Sequence, residues 1–137
     1  MKRLNVLVGC EYSGVVRDAF AARGHNAWSC DLLPSDRPNP KHIQSDIFDI
    51  LDQPWDIAIF HPPCTDLAIS GAAHFPEKIK DGRQQRAIEF VERLYKCDIP
   101  RICIENPVGV LSTKSRLGKP TQYVQPYEYG HFETKKT

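Results

Sequence analysis

Long hydrophobic runs are missing from this 137-residue chain. No apolar stretch approaches the ~20 residues that a membrane-spanning helix needs, and no export leader opens the sequence. No membrane association is therefore expected. A charge excess is missing too: 18 basic residues against 17 acidic ones leave a formal net charge of +1. That is too little for a global field drawing the chain to nucleic acid, so any such contact must come from a local patch. Paired cysteines are absent. Cys10, Cys30, Cys64, Cys97 and Cys103 contain no CxxC pair, which argues against a structural zinc. The histidines show no ligand spacing either, and no metal is expected. An odd number of unevenly spaced cysteines points to free thiols in a reducing cytoplasm. Repeats and low-complexity tracts are also lacking. What remains is one globular domain, residues 1–137, whose 41% hydrophobic content suffices for a core.

The chain alternates strand-like and helix-like segments. Leu4 to Val8 is a short apolar run and reads as a strand. Gly9-Cys10-Glu11-Tyr12-Ser13-Gly14 turns the chain. Val15 to Arg23 has helical spacing, with Ser13 as the expected N-cap and Gly24 as the stop. Asn26 to Cys30 is a second strand, closed by Asp31. Strand, glycine turn, helix, strand and acid follow each other as in a dinucleotide-type βαβ unit. The turn is neither GxGxxG nor a P-loop, because Val15 stands where the lysine would be. Leu32 to Lys41 reads as an exposed loop. A short third strand or turn is expected around Ser45-Asp46, with Asp46 closing it.

Asp56-Ile57-Ala58-Ile59-Phe60-His61-Pro62-Pro63-Cys64-Thr65 is the central stretch. Its unbroken apolar run suits a parallel strand covered on both faces. Pro62 and Pro63 then force the backbone out of the sheet. Cys64 follows at the carboxyl edge, where open α/β sheets bind ligands. Asp66 to Gly82 contains Gly71, Pro76 and Gly82 and reads as an irregular, mobile loop. Arg83 to Lys96 is the clearest amphipathic helix, and Ile99 to Ile104 a further strand broken by Glu105-Asn106-Pro107. Val108 to Ser112 reads as the start of a short helix, Lys114 to Lys119 as a basic loop, Tyr123 to Tyr129 as another strand, and Thr134-Lys135-Lys136-Thr137 as a polar end.

Cys64 and Glu105 each follow an apolar strand and lie beside proline. Neighbouring parallel strands would bring them to one crevice. A thiolate adds to an electron-poor carbon, such as C6 of a pyrimidine, while an acid hydrogen-bonds the ring under attack.

Pro62-Pro63-Cys64 and Glu105-Asn106-Pro107 resemble the PPC and ENV motifs of the cytosine-5 DNA methyltransferases, in the same order and strand contexts. The Cys10-Glu11-Tyr12-Ser13-Gly14 turn is similar to that of small phage-type members. The resemblance runs from about Leu4 to Val110. It implies a Rossmann-like α/β fold with a mostly parallel sheet and helices on both faces. It further implies S-adenosyl-L-methionine as cofactor and DNA as partner. Cys64 would be the nucleophile, Glu105 the contact to N3 and the amino group of the base, and Pro63 the shaper of the catalytic loop. Asp31 would hold the cofactor's ribose and Asp46 its adenine, with Gly9 and Gly14 at the methionine end. Glu11, Leu32, Ile47 and Pro62 would complete that site. Lys114, Arg116 and Lys119 would meet nucleic-acid phosphates.

Departures from the family accompany the match. Its Phe-x-Gly-x-Gly turn is altered here, Pro107 replaces valine, and no Gln-x-Arg-x-Arg segment or target-recognition domain is found. The chain is expected to stop about where the last sheet strands would start, with a partner chain or second copy completing the fold. Three other functions stand beside methylation at cytosine C5: amino-directed methylation, a catalytically inactive nucleic-acid or partner-binding module, and methylation of a free pyrimidine nucleotide. Plainer roles stand beside each residue. Cys64 is then an inert thiol, Asp31 and Asp46 loop caps, His61 a packing residue, and Lys114, Arg116 and Lys119 a solvated loop. Cys10, Cys30, Cys97 and Cys103 are expected in the core, with Trp28 and Trp55 at its rim.

Overall fold

The computed structural model describes residues 2–132 and 135–137. Thr134 of the expected polar end lies outside the described residues. The chain divides into two compact units: Met1–Pro62 with Cys97–Ile104, and Pro63–Lys96 with Glu105–Thr137.

The first unit is a five-stranded, all-parallel sheet. Its strands are β1 (Asn5–Gly9), β2 (Asn26–Asp31), β3 (His42–Gln44), β4 (Ile57–Phe60) and β5 (Ile102–Ile104), in the order β3-β2-β1-β4-β5. The chain builds outward from β1 in one direction, then returns and builds the other way. This reversal lies between β1 and β4, and it is compatible with a Rossmann-like sheet. Apolar residues dominate β1 and β4 because both are flanked by neighbours. Val6, Leu7, Val8, Ala58 and Phe60 are wholly inaccessible.

Helix α1 (Val15–Ala22) packs on β1 and β2, burying Val16 and Phe20 against Val6, Val8 and Ala27. Its N-cap is Gly14, in a left-handed conformation at φ 79°, rather than Ser13. A side chain at Gly14 would meet the Arg17 guanidinium at 2.6 Å. Ser13 instead accepts a weak bond from Val15 N at 3.3 Å.

The loop after β2 is exposed, as expected, but it is pinned. Arg17 is only 1% exposed. Its guanidinium donates to Ser29 Oγ at 3.0 Å, Ser35 Oγ at 3.3 Å, the Arg37 carbonyl at 3.1 Å and Asp18 Oδ1 at 2.9 Å. A buried charge survives only when its donors are satisfied, and here every partner lies on α1, β2 or this loop. The hydrogen bond from Arg17, supported by Arg37, holds the Asp18 carboxyl below the usual carboxylate range.

The second unit is helical. The span Asp66 to Gly82 is not irregular: it forms a 3-10 stretch, Ile69–His74, and then α2 (Phe75–Lys80). Pro76 sits in the first turn of α2, where its missing N–H costs nothing. Gly82 is the left-handed N-cap of α3 (Arg83–Tyr95), which buries Gln84, Ile88, Val91 and Leu94 along one face. Helix α4 is short (Leu111–Lys114). The expected strand Tyr123 to Tyr129 is instead extended chain leading into a 3-10 turn, Pro126–Tyr129, because proline at its start cannot join a ladder. No helix among the described residues is long and apolar enough to cross a membrane.

Replacing Arg17 by Ala removes the buried anchor that ties this loop to α1 and β2. A loss of about 2–3 kcal/mol is expected in urea unfolding. Asp18 has a depressed pKa, so its share of stability is complete above the ordinary carboxylate range and fades as pH falls through its folded value. That acid dependence should shrink in Arg17→Ala.

Candidate active site

The sheet's carboxyl edge carries the first group of site residues. β1 ends at Gly9, and Cys10 then turns with φ 60°, the only non-glycine residue of positive φ among those described. A left-handed residue here redirects the chain sharply toward α1. Gly9 is required by packing: a Cβ would lie 2.5 Å from the Phe60 ring and 2.8 Å from Ile47 Cδ1. Ile47 is itself buried.

Glu11 is 8% exposed. Its Oε1 accepts from Ser13 Oγ at 2.6 Å and from Val16 N at 3.0 Å, so it caps α1 from outside the helix. Asp31 Oδ1 accepts from Leu33 N at 2.9 Å, and Asp46 Oδ1 from Phe48 N at 3.0 Å. Both are turn caps at the ends of neighbouring strands. Leu32, beside Asp31, is 71% exposed and offers an apolar face.

This edge is electrically negative. Burial pushes the Cys10 thiol up to about 12, with Asp31, Cys30 and Asp46 adding repulsion. Burial likewise pushes Cys30 up to about 11, again with Asp31 and Asp46 contributing. Neither thiol is a nucleophile at neutral pH. A positively charged ligand gains from such a field, and a pyrophosphate loses.

The second group lies in the helical unit. β4 and β5 are parallel neighbours with Phe60 opposite Ile104. Their chains therefore leave the sheet at the same edge. Pro62 is buried, Pro63 is exposed, and Cys64 and Glu105 are half-buried. The Cys64 carbonyl accepts from Leu67 N at 3.0 Å and Ala68 N at 2.9 Å, closing a tight turn.

Two backbone bonds then bind the segments that follow Cys64 and Glu105. Ile69 N donates to the Val108 carbonyl at 2.8 Å, and Val110 N to the Leu67 carbonyl at 3.0 Å, around an antiparallel Ala68–Gly109 bridge. A Cβ at Gly109 would fall 1.9 Å from the Leu67 oxygen, so only glycine fits.

Buried polar side chains hold the same turn from below. Lys78 is 5% exposed; its ammonium donates to the Thr65 carbonyl and lies 3.5 Å from Asp66 Oδ1. Gln84, 2% exposed, donates to the Asp66 carbonyl at 3.3 Å and accepts from Lys114 Nζ at 3.0 Å. Lys114 thus serves α3, while Arg116 and Lys119 are exposed. Sequence reasoning passed over Lys78 and Gln84 because polar residues default to the solvent side.

It also passed over Arg83 and Arg86. With Pro63, Asp66, Ala87 and Phe90 they line a cleft of about 290 Å³. Arg83 Nε bonds Asp81 Oδ2 at 2.7 Å, and Arg86 Nη1 the Asp81 carbonyl at 3.2 Å. Their i, i+3 spacing at the start of a helix was the available signal. Of the four cysteines expected in the core only Cys30 is buried; Cys10 and Cys97 are half-buried and Cys103 is exposed. Trp55 is buried, with its indole N–H on the Ile50 carbonyl at 2.8 Å. No group of three or more acidic, histidine or cysteine side chains among the described residues could hold a metal ion.

No family model matches the chain, and neither a curated protein nor a solved structure matches it.

Two outcomes follow from this geometry. Gly109→Ala must part the bridge or move Leu67, and a loss of about 2–4 kcal/mol is expected in thermal or urea unfolding. In the folded protein at pH 8, iodoacetamide should modify Cys103 and spare Cys10 and Cys30, as read by peptide mass. Modification of Cys10 at that pH would contradict its raised pKa. Because both pKa values are raised, the unfolded thiols ionise first, so stability should fall as pH rises from about 9 toward the folded values.

Proposed function

We propose that this chain transfers a methyl group from S-adenosyl-L-methionine to C5 of cytosine in DNA, through a covalent bond from Cys64 to C6. The observation that carries this reading is the bridge at Gly109. It makes the turn after Cys64 and the segment after Glu105 one rigid piece, as a nucleophile and acid acting on a single ring require.

The sheet supports the cofactor assignment. Its strand order suits a Rossmann-like methyltransferase domain, and its edge favours a cation through Asp31 and Asp46. S-adenosyl-L-methionine carries a sulfonium and an ammonium, whereas a dinucleotide carries a pyrophosphate. Asp31 is the candidate for the ribose hydroxyls and Asp46 with Leu32 for the adenine. Gly14 and the Glu11-capped start of α1 would lie at the methionine end. Gly9 and Ile47 contribute by packing beneath them, and Pro62 by turning the chain out of β4. When bound, the cofactor supplies an electrophilic methyl group.

The chain's own residues do the rest. The Cys64 thiolate forms the S–C6 bond as Glu105 hydrogen-bonds N3, and electron density moves to C5. After C5 has taken the methyl group it loses its proton to a base, the S–C6 bond breaks, and Cys64 leaves as thiolate. Pro63 stiffens the backbone next to the nucleophile. In a duplex, the target base must leave the stack to be reached. Arg83, Arg86, Arg116 and Lys119 are the candidates for its phosphates.

With S-adenosyl-L-methionine and DNA containing 5-fluorocytosine, a covalent adduct should accumulate, because fluorine at C5 does not leave as a proton. Intact mass should show it, and Cys64→Ala should abolish it. Glu105→Gln should slow its formation by about 100-fold or more. Cofactor binding without any adduct would point to a missing partner or another acceptor, and neither adduct nor cofactor binding would favour the inactive nucleic-acid-binding reading.

A further inference from the structure

The C-terminal segment presents aromatic rings to solvent. Val124 N donates to the Thr137 carbonyl at 2.8 Å and Thr137 N to the Val124 carbonyl at 3.0 Å, which closes a loop. Within it, Gln125 N donates to the Glu128 carboxylate at 3.0 Å, capping the 3-10 turn Pro126–Tyr129. Gly130 ends that turn in a left-handed conformation at φ 88°. The rings on this loop are exposed: Tyr127 at 57%, Tyr129 at 67% and Phe132 at 107%. At the loop's base, Lys136 Nζ lies 4.3 Å from the Tyr123 ring centroid. The Lys136 carbonyl accepts from Val108 N at 3.2 Å, so the loop hangs on the segment that follows Glu105.

Three exposed rings within about six residues of chain offer a partner apolar surface. The surroundings indicate what covers them. From Gly118 to Thr137 the only aliphatic residue is Val124. A protein-docking patch would supply leucine, isoleucine or methionine around the rings. Residues 111–137 hold five cationic and two acidic side chains, whereas residues 1–110 carry two more acids than bases. The chain's positive charge is thus concentrated in the segment that carries Tyr123, Tyr127, Tyr129 and Phe132. Rings in a cationic, aliphatic-poor setting match unpaired nucleic acid: bases stack on aromatic faces and phosphates meet lysine and arginine. A paired duplex hides its base faces and gains only the charge.

We propose that Tyr127, Tyr129 and Phe132 form a base-stacking platform for single-stranded nucleic acid, with Arg116, Lys119 and Lys136 meeting its phosphates. This deepens the proposed function by naming the acceptor as an unpaired strand. A base already out of the stack costs less to extrude.

The test is fluorescence anisotropy on the full chain, without S-adenosyl-L-methionine. It uses a labelled single strand of about 12 nucleotides and the matching duplex. The single strand should bind at least tenfold tighter. Tyr127→Ala/Tyr129→Ala/Phe132→Ala should lose tenfold or more on the single strand and keep the slope of affinity against salt, since no charge has changed. Tyr127→Phe/Tyr129→Phe keeps both rings and should bind as the parent does. Equal binding of duplex and single strand, or an alanine variant binding like the parent, would overturn the proposal. So would a dimer in sedimentation that the alanine variant abolishes, because the rings would then cover each other. Ring-dependent binding without a 5-fluorocytosine adduct would sink methyl transfer alone. An adduct on duplex DNA that survives the alanine changes would sink the platform alone.

Discussion

Two strands of backbone meet at Gly109 with no room for a methyl group between them. That contact is the constraint on which the helical unit depends. Leu67 and Ile69 exchange bonds with Val110 and Val108 there. The turn containing Cys64 ends in this pairing, and the segment containing Glu105 begins it. Lys78 and Gln84 add side-chain bonds to Thr65 and Asp66, and Lys114 braces Gln84. The C-terminal loop joins the same structure through Val108 and Lys136. Each bond is worth only about 1 kcal/mol by itself. Together they leave the backbone that follows Cys64 little freedom.

The sheet unit solves a different problem. Three strand ends collect Glu11, Asp31 and Asp46, and the charges of Asp31 and Asp46 are felt by Cys10 and Cys30. The unit's own buried cation, Arg17, is consumed by Asp18, two hydroxyls and a carbonyl. Net negative charge therefore persists at the edge. The helical unit has the opposite character, with Arg83 and Arg86 on its cleft and further cations toward the C-terminus. Under the proposed function, the cationic cofactor and the polyanionic acceptor would each meet complementary charge in one unit.

The near-neutral whole-chain charge concealed this division, because two opposite excesses cancel in the sum. Burial concealed the rest. Arg17, Lys78 and Gln84 are among the least accessible side chains. Periodicity assigns such residues to solvent, since it registers hydrophobicity and not the hydrogen bonds that make burial affordable. Asp66 to Gly82 read as a loop because glycine and proline usually interrupt structure. Here Pro76 opens a helix and Gly82 caps the next one. Tyr123 to Tyr129 read as a strand from its aromatic content, but Pro126 diverts it after a single pair of bonds at Val124.

Local sequence was sufficient for β1, α1, β2, β4 and α3, because their apolar spacing already matches the period of the element they form. It was sufficient too for the α/β class, and for placing Cys64 and Glu105 just beyond strands. The strand order, and hence the parallel pairing of β4 with β5, needed the whole sheet to assemble. So did the negative edge, which sums charges from three separate strands. The Gly109 contact belongs to the same category. It joins residues about forty positions apart, and nothing near either one announces the partner: a glycine's lack of a side chain has meaning only once another backbone lies against it.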